Sequence, residues 1–175
     1  MDAIYRVDGN RIETSPHAAG PWDASMQHGS APAALVVWAA EAIPTPSPMQ
    51  IVRVSIDLMR PVPVAPLTLE TEVLREGRKI QLCAVRLLAN GVVVVRATVL
   101  KIRIDSPALP AEIADPPIDV PPPDQGAPME PQFSGNPFVT GLSVSAVRGG
   151  FLQLGPGAIW YRMNRPIVEG AGCRG

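Results

Sequence analysis

Cysteine is almost absent from this chain: two in 175 residues, Cys83 and Cys173. That number and spacing build neither a disulfide framework nor a metal-ligand set, so reduced thiols and a cytoplasmic location are expected. Excess charge of either sign is missing too. Fifteen Lys and Arg stand against 16 Asp and Glu, a formal net charge of −1, which argues against nucleic acid or an anionic membrane as the main partner. Long hydrophobic runs are lacking as well. The longest, Ala31 to Ala40, is too short to span a bilayer. The opening "MDAIYRVDGNR" has no apolar stretch of the kind a secretory signal carries. What remains is a globular composition, 46% hydrophobic and 18% charged, with enough chain for one good core and part of a second unit.

Proline, by contrast, is abundant. There are 21, and ten fall between Pro107 and Pro137 in "SPALPAEIADPPIDVPPPDQGAPMEPQFSGNP". A stretch short of so many backbone donors cannot build a helix or a central strand. Residues 105–137 therefore read as an extended linker between a unit at 1–104 and a partial unit at 138–175.

Within the first unit, "QHGSAPAALVVWAAEAI" (27–43) is apolar almost all round, with Glu41 its one charge after residue 30. A surface helix would show a polar face, so this helix is expected to be buried on most sides. Pro32 suits its first turn, where a missing N–H costs nothing, and Pro44, Pro46 and Pro48 stop it. Strands surround it. "IYRVDGNRIETS" breaks at Asp8-Gly9-Asn10, a hairpin turn. In "MQIVRVSIDLM" the period of two puts Val52, Val54, Ile56 and Leu58 on one face. "LTLETEVL" does the same with Leu67, Leu69, Thr71 and Val73, and Asn90-Gly91 joins "KIQLCAVRLLA" to "VVVVRATVLKIRI". The expected class is α+β, an antiparallel sheet wrapped around one helix. After the linker, "FVTGLSVSAVRGGFLQLGPGAIWYRMNRPIV" reads as strands with no second buried helix, and "EGAGCRG" as an unstructured end.

The segments "GPWDASMQHGSAPAALVVWAAE", "VRVSIDLMRPVPVAPLTLETEVLREGRKIQLCAVRLLANGVVVVRATVLKI" and "IWYRMNRPIVEG" together resemble the thioesterase-like superfamily of acyl-CoA thioesterases. These are double-hotdog proteins similar to bacterial thioesterase II. The likeness is dense over residues 5 to 103 and loose over 138 to 170. It implies one complete hotdog, the opening strands of another, and hydrolysis of a fatty or related acyl-CoA. The thioester carbonyl would sit at the N-terminus of the central helix, where free N–H groups and the helix dipole favour an oxyanion. By the resemblance, Gly29 and Ser30 would present those groups and His28 would flank them. One such donor is worth about 3 kcal/mol in a transition state.

The departures are as informative. In single-domain relatives whose helix opens His-Gly-Gly, the acid lies about nine residues after the histidine; here Val37 stands there, and Ser30 replaces the second glycine. Glu41 is four residues further on and too deep to reach the carbonyl. In double-hotdog enzymes the acid belongs to the second unit's central helix, and no segment of this sequence reads as such a helix. A non-catalytic hotdog that binds acyl-CoA, or only assembles, is therefore the rival expectation. A dehydratase or hydratase on the same fold ranks last, for want of an acid–base pair.

Other residues divide between structural and binding roles. Asp23 reads as a turn cap. Asp57 and Arg60, in "DLMRP", read first as a sheet-end ion pair and second as lining the acyl-CoA site. Arg75, Arg78 and Lys79 cluster at a hairpin; Arg78 and Lys79 would meet CoA phosphates, although a solvated turn is the commoner explanation for such a cluster. Cys83 alternates within a strand and reads as core. No cofactor is expected. Open sheet edges predict a homo-oligomer through hotdog pairing.

Overall fold

The computed structural model describes residues 2–105, 110, 119–129 and 135–171. Cys173 and much of the proline-rich stretch lie outside them. Two short strands, β1 (Tyr5–Asp8) and β2 (Arg11–Thr14), form a hairpin that turns at Gly9, whose φ is +59°. The helix α1 (Ser30–Ala42) follows, then β3 (Met49–Leu58), β4 (Leu67–Glu76), β5 (Ile80–Ala89) and β6 (Val92–Arg103). The β5–β6 connection holds Asn90 and Gly91 at φ 49° and 76°, the pair of positive values that a tight two-residue hairpin requires. These strands form one antiparallel sheet in the order β1-β2-β4-β5-β6-β3.

The sheet wraps α1. Ala31, Leu35, Val36, Ala39 and Ala40 of the helix are buried in one core with Val85, Leu87, Val95, Ala97 and Val99 of β5 and β6. Fully burying a side chain such as Leu35 or Val36 contributes about 1.5–3 kcal/mol, which is what holds a helix with no polar flank in place. Its C-terminal end is closed by polar groups inside the fold. The Lys101 ammonium donates to the Ile43 carbonyl at 2.8 Å, and Gln81 Nε2 to the Pro44 carbonyl at 2.7 Å. Both side chains are buried, and a cation there complements the negative end of the helix dipole.

Two strand faces differ from the alternation expected. A bulge between Ile51 and Arg53 offsets β3 by one residue, so Ile51, Val54 and Ile56 pack on the core while Val52 and Leu58 stay exposed. On β4 only Leu67 and Leu69 reach the core; Thr71 and Val73 are exposed.

A second antiparallel sheet, in the order β7-β8-β9, consists of β7 (Ala127–Met129), β8 (Leu142–Arg148) and β9 (Ala158–Met163). Its edge strand β7 comes from the proline-rich stretch and includes Pro128, a residue that only an edge tolerates. The residues around this sheet share the core that encloses α1: Phe138, Val139, Leu142, Met163, Ile167 and Val168 all pack there. The chain near Val168 runs parallel to β1. Ile4 N–H donates to Pro166 O at 3.0 Å, Tyr5 N–H to Ile167 O at 2.8 Å, and Glu169 N–H to Tyr5 O at 2.9 Å. No helix is long and apolar enough to cross a membrane among the described residues.

Candidate active site at the N-terminus of the central helix

The approach to α1 is fixed by backbone hydrogen bonds. Asp23 Oδ1 accepts from the Ser25 amide at 2.8 Å and its hydroxyl at 2.7 Å, closing the turn after Trp22 and holding its own carboxyl below the usual range. Gln27 N–H donates to Val62 O and His28 N–H to Ala18 O, both at 2.8 Å. The chain therefore enters the helix along a clamped path, and the His28 ring is delivered to its first turn.

The four leading amides of a helix have no intrahelical partner. Here Ser30 N–H donates to His28 Nδ1 at 3.2 Å, Ala31 N–H to His28 O at 2.9 Å, and Pro32 has no N–H to offer. Of the pair expected to face a carbonyl, Ser30 is thus already engaged by the histidine. The Gly29 N–H has no acceptor among the described residues. Gly29 itself sits at φ −56°, open to any residue, and an added Cβ would meet only Leu58 Cδ1 at an ordinary 3.5 Å. Neither strain nor crowding demands glycine there, so its bareness leaves room beside the amide for something else.

Because Nδ1 accepts a hydrogen bond, the neutral imidazole carries its proton on Nε2. Burial pushes the His28 pKa below the ordinary histidine value, which favours this neutral form. One ring face is covered by Phe138, with centroids 4.7 Å apart and planes within 3°.

His28 and Ser30 open onto a cavity of about 530 Å³, with Ala34 one turn further along the same helix face. Its far wall is the second sheet. Leu142 and Val144 of β8 stand directly opposite Met163 and Tyr161 of β9, so period-two neighbours on paired strands build one apolar surface. Val139 and Phe151 complete it. No carboxylate lines this cavity among the described residues, nor do His, Cys, Asp and Glu gather into a metal-binding group among them.

The remaining expected binding residues do not join His28. Asp57 pairs with Arg96 across β3 and β6 at 3.1 Å, not with Arg60, because those two residues are directly opposed in the register. Arg60 is exposed and has no side-chain partner among the described residues. Arg78 and Lys79 lie exposed in the β4–β5 turn. That turn neighbours the C-terminal end of α1, where Gln81 meets Pro44. Leu58 lies at the other end, beside Gly29. The 13-residue helix, about 20 Å long, separates the two ends. Cys83 is buried, its thiol donating to Gln81 Oε1 at 3.2 Å, and burial raises its pKa, so it is packing rather than nucleophile. The cavity wall of β8 and β9 was missed in the sequence; the alternation of Leu142 with Val144, and of Tyr161 with Met163, is the signal that carried it.

Residues 18–102 match the family model of the acyl-CoA thioesterase N-terminal domain. No match was found among curated proteins. Among solved structures, the chain is similar to a hot dog fold protein of unknown function from Alicyclobacillus acidocaldarius, with 22% identity and a TM-score of 0.70 over 93% of this chain and 61% of that one. A candidate thioesterase from Novosphingobium aromaticivorans gives 22% identity and a TM-score of 0.66, over 92% of this chain and 65% of that one. A candidate thioesterase II from Thermobifida fusca gives 23% and 0.59, over 81% and 50%. The chain thus spans half to about two-thirds of the length of these structures. With its antiparallel sheet wrapped around the one buried α-helix among the described residues, the chain has the hotdog fold, and its residues 18–102 are similar to the acyl-CoA thioesterase N-terminal domain family.

Proposed function

We propose that this protein supplies the carbonyl-polarising half of a cytoplasmic acyl-CoA thioesterase site that hydrolyses fatty or related acyl-CoA. The observation that carries this reading is the free Gly29 N–H next in the chain to a neutral histidine whose Nε2–H is unused and which lines an apolar cavity. A thioester oxygen accepting from these two donors gains negative charge as water adds to the carbonyl, and the donors stabilise that charge. The dipole of α1 acts in the same sense. The acyl chain lies against β8 and β9, where it meets almost no polar surface. His28, Gly29 and Ser30 hold the reacting end, with Ser30 acting through the histidine.

Activating the water requires a base. His28 cannot serve in this tautomer, since its lone pair is on Nδ1 and faces Ser30. With no carboxylate on the cavity, the base comes from outside the described residues, on a hotdog that pairs with this one. The ten-residue strand β3 ends the sheet unpaired on one side and leaves Val52 and Leu58 exposed, which supports pairing of two copies along it. Light scattering that finds only monomer at micromolar concentration would exclude self-pairing. Asp57 and Arg60 lie toward this end of the strand and are the binding residues we keep for the CoA moiety; Arg78 and Lys79 are kept only for a CoA carried across from a partner copy.

The test is release of free CoA thiol from acyl-CoAs of graded chain length. Turnover that His28→Ala abolishes supports the enzyme reading. A folded protein that turns over none of them refutes it for this chain. The lack of a lining carboxylate among the described residues motivates a second reading, binding without cleavage; tight binding of a non-hydrolysable acyl-CoA thioether with no turnover of the thioester would establish it.

A further inference from the structure

We propose that Phe138 is the positioning residue of this site: its ring lies flat on the His28 imidazole and fixes the orientation in which Nδ1 holds the Ser30 amide and Nε2–H stays free. The proposal rests on the reading of His28 as a carbonyl donor, and deepens it by giving the second sheet's segment a share in the chemistry.

An imidazole on a two-bond stem has several rotamers, and turning it over puts the Cδ2–H where Nδ1 stood and so breaks the hydrogen bond to Ser30. The hydrogen bond to Ser30, at 3.2 Å, is long for an N–H donor and is a weak restraint by itself. Phe138 adds a flat wall. It is 3% exposed, and the two planes are parallel within 3°, so the imidazole cannot swing out of plane on that side without a clash.

The wall is itself held in register with the histidine. The carbonyls of two consecutive residues, Ala18 and Ala19, accept the backbone N–H of His28 at 2.8 Å and of Phe138 at 3.3 Å. One short turn thus anchors both ring-bearing residues, although they stand 110 positions apart in the chain. The Phe138 N–H is shared with Asn136 Oδ1 at 3.1 Å, and Asn136 is 2% exposed. Its own carbonyl accepts Thr140 N–H at 3.1 Å, while Phe138 O accepts Gly141 N–H at 3.1 Å. Each polar group around the phenyl ring's backbone is therefore committed.

The experiment compares Phe138→Tyr, which keeps the ring, with Phe138→Leu, which keeps apolar bulk but loses the plane. Long-range ¹H–¹⁵N spectra report the His28 tautomer, and thiol release reports kcat and KM. We expect the wild type and the Tyr variant to show a single Nε2–H tautomer and kcat values within about twofold of each other. The Leu variant should show mixed tautomers and a kcat about tenfold lower at similar KM. A Leu variant that folds and keeps either the single tautomer or the wild-type kcat overturns the proposal. Should the Leu variant not fold, the wild type decides: mixed tautomers, or His28 ring protons without the upfield shift that a facing phenyl ring imposes, overturn it. If the wild type turns over no acyl-CoA, the thioesterase reading fails while the tautomer comparison still judges Phe138.

Discussion

The Nδ1 atom of His28 accepts the amide hydrogen of Ser30, two residues along, at the first turn of α1. One contact satisfies a helix-end donor and assigns the imidazole proton to the opposite nitrogen. The same side chain is thereby a cap and a hydrogen-bond donor, and the two roles can be separated by substitution.

His28→Ala removes both. Thiol release from acyl-CoA should fall by about 10²–10³ in kcat, the usual effect of deleting one oxyanion donor. Thermal stability should drop by only about 1 kcal/mol, the value of a lost cap. A variant as active as the parent would show that the ring faces no reacting oxygen.

Gly29→Ala tests the space beside the open amide. With φ at −56° and Leu58 Cδ1 at 3.5 Å, the methyl group fits the folded chain, and stability should change by less than about 1 kcal/mol. Turnover should nevertheless decline, chiefly through KM, because the methyl occupies the approach to the N–H. Full activity would place the carbonyl elsewhere.

Acid should weaken the fold through its histidines. Burial lowers the His28 pKa, and His17 shifts the same way, through burial first and the nearby Arg165 second. The unfolded chain then binds protons at a higher pH than the folded one, so stability is full above the ordinary histidine value of about 6.5 and falls as pH drops through it. Denaturant midpoints measured from pH 8 to 5 should show this decline. Protonation also removes the lone pair that holds Ser30, so the acidic limb of kcat should lie below the ordinary histidine value. A midpoint that rises toward pH 5 would contradict the burial effect.

Lys101→Met leaves the Ile43 carbonyl without its donor at the buried C-terminal end of α1. The loss should be about 1–3 kcal/mol in equilibrium unfolding, with little change in the site at the far end of the helix. An unchanged midpoint would mean that water replaces the ammonium at no cost.

Local chemistry made much of the fold legible. Asn90-Gly91 and Asp8-Gly9-Asn10 mark hairpins because few other residues accept positive φ, and the helix betrays its burial by having no polar side. The β3 bulge was not legible: Ile51, Val52 and Val54 are all apolar, and only pairing with β6 decides which one is displaced. At the site, His28 and Gly29 could be singled out, but the engagement of Ser30 depends on a rotamer. Phe138 was invisible for a different reason. Its relation to His28 exists only after the chain has passed through the proline-rich stretch, and no periodicity spans such a gap.

The parallel stitching of residues 166–169 onto β1 has a bearing on biosynthesis. Ile4 and Tyr5 are wholly enclosed, yet their backbone partners are made some 160 residues later. During translation this edge of β1 stays unpaired until residues 166–169 have left the ribosome, and contacts this distant in sequence form slowly. The nascent protein therefore passes through a long interval in which an unpaired strand edge invites chaperones or self-association.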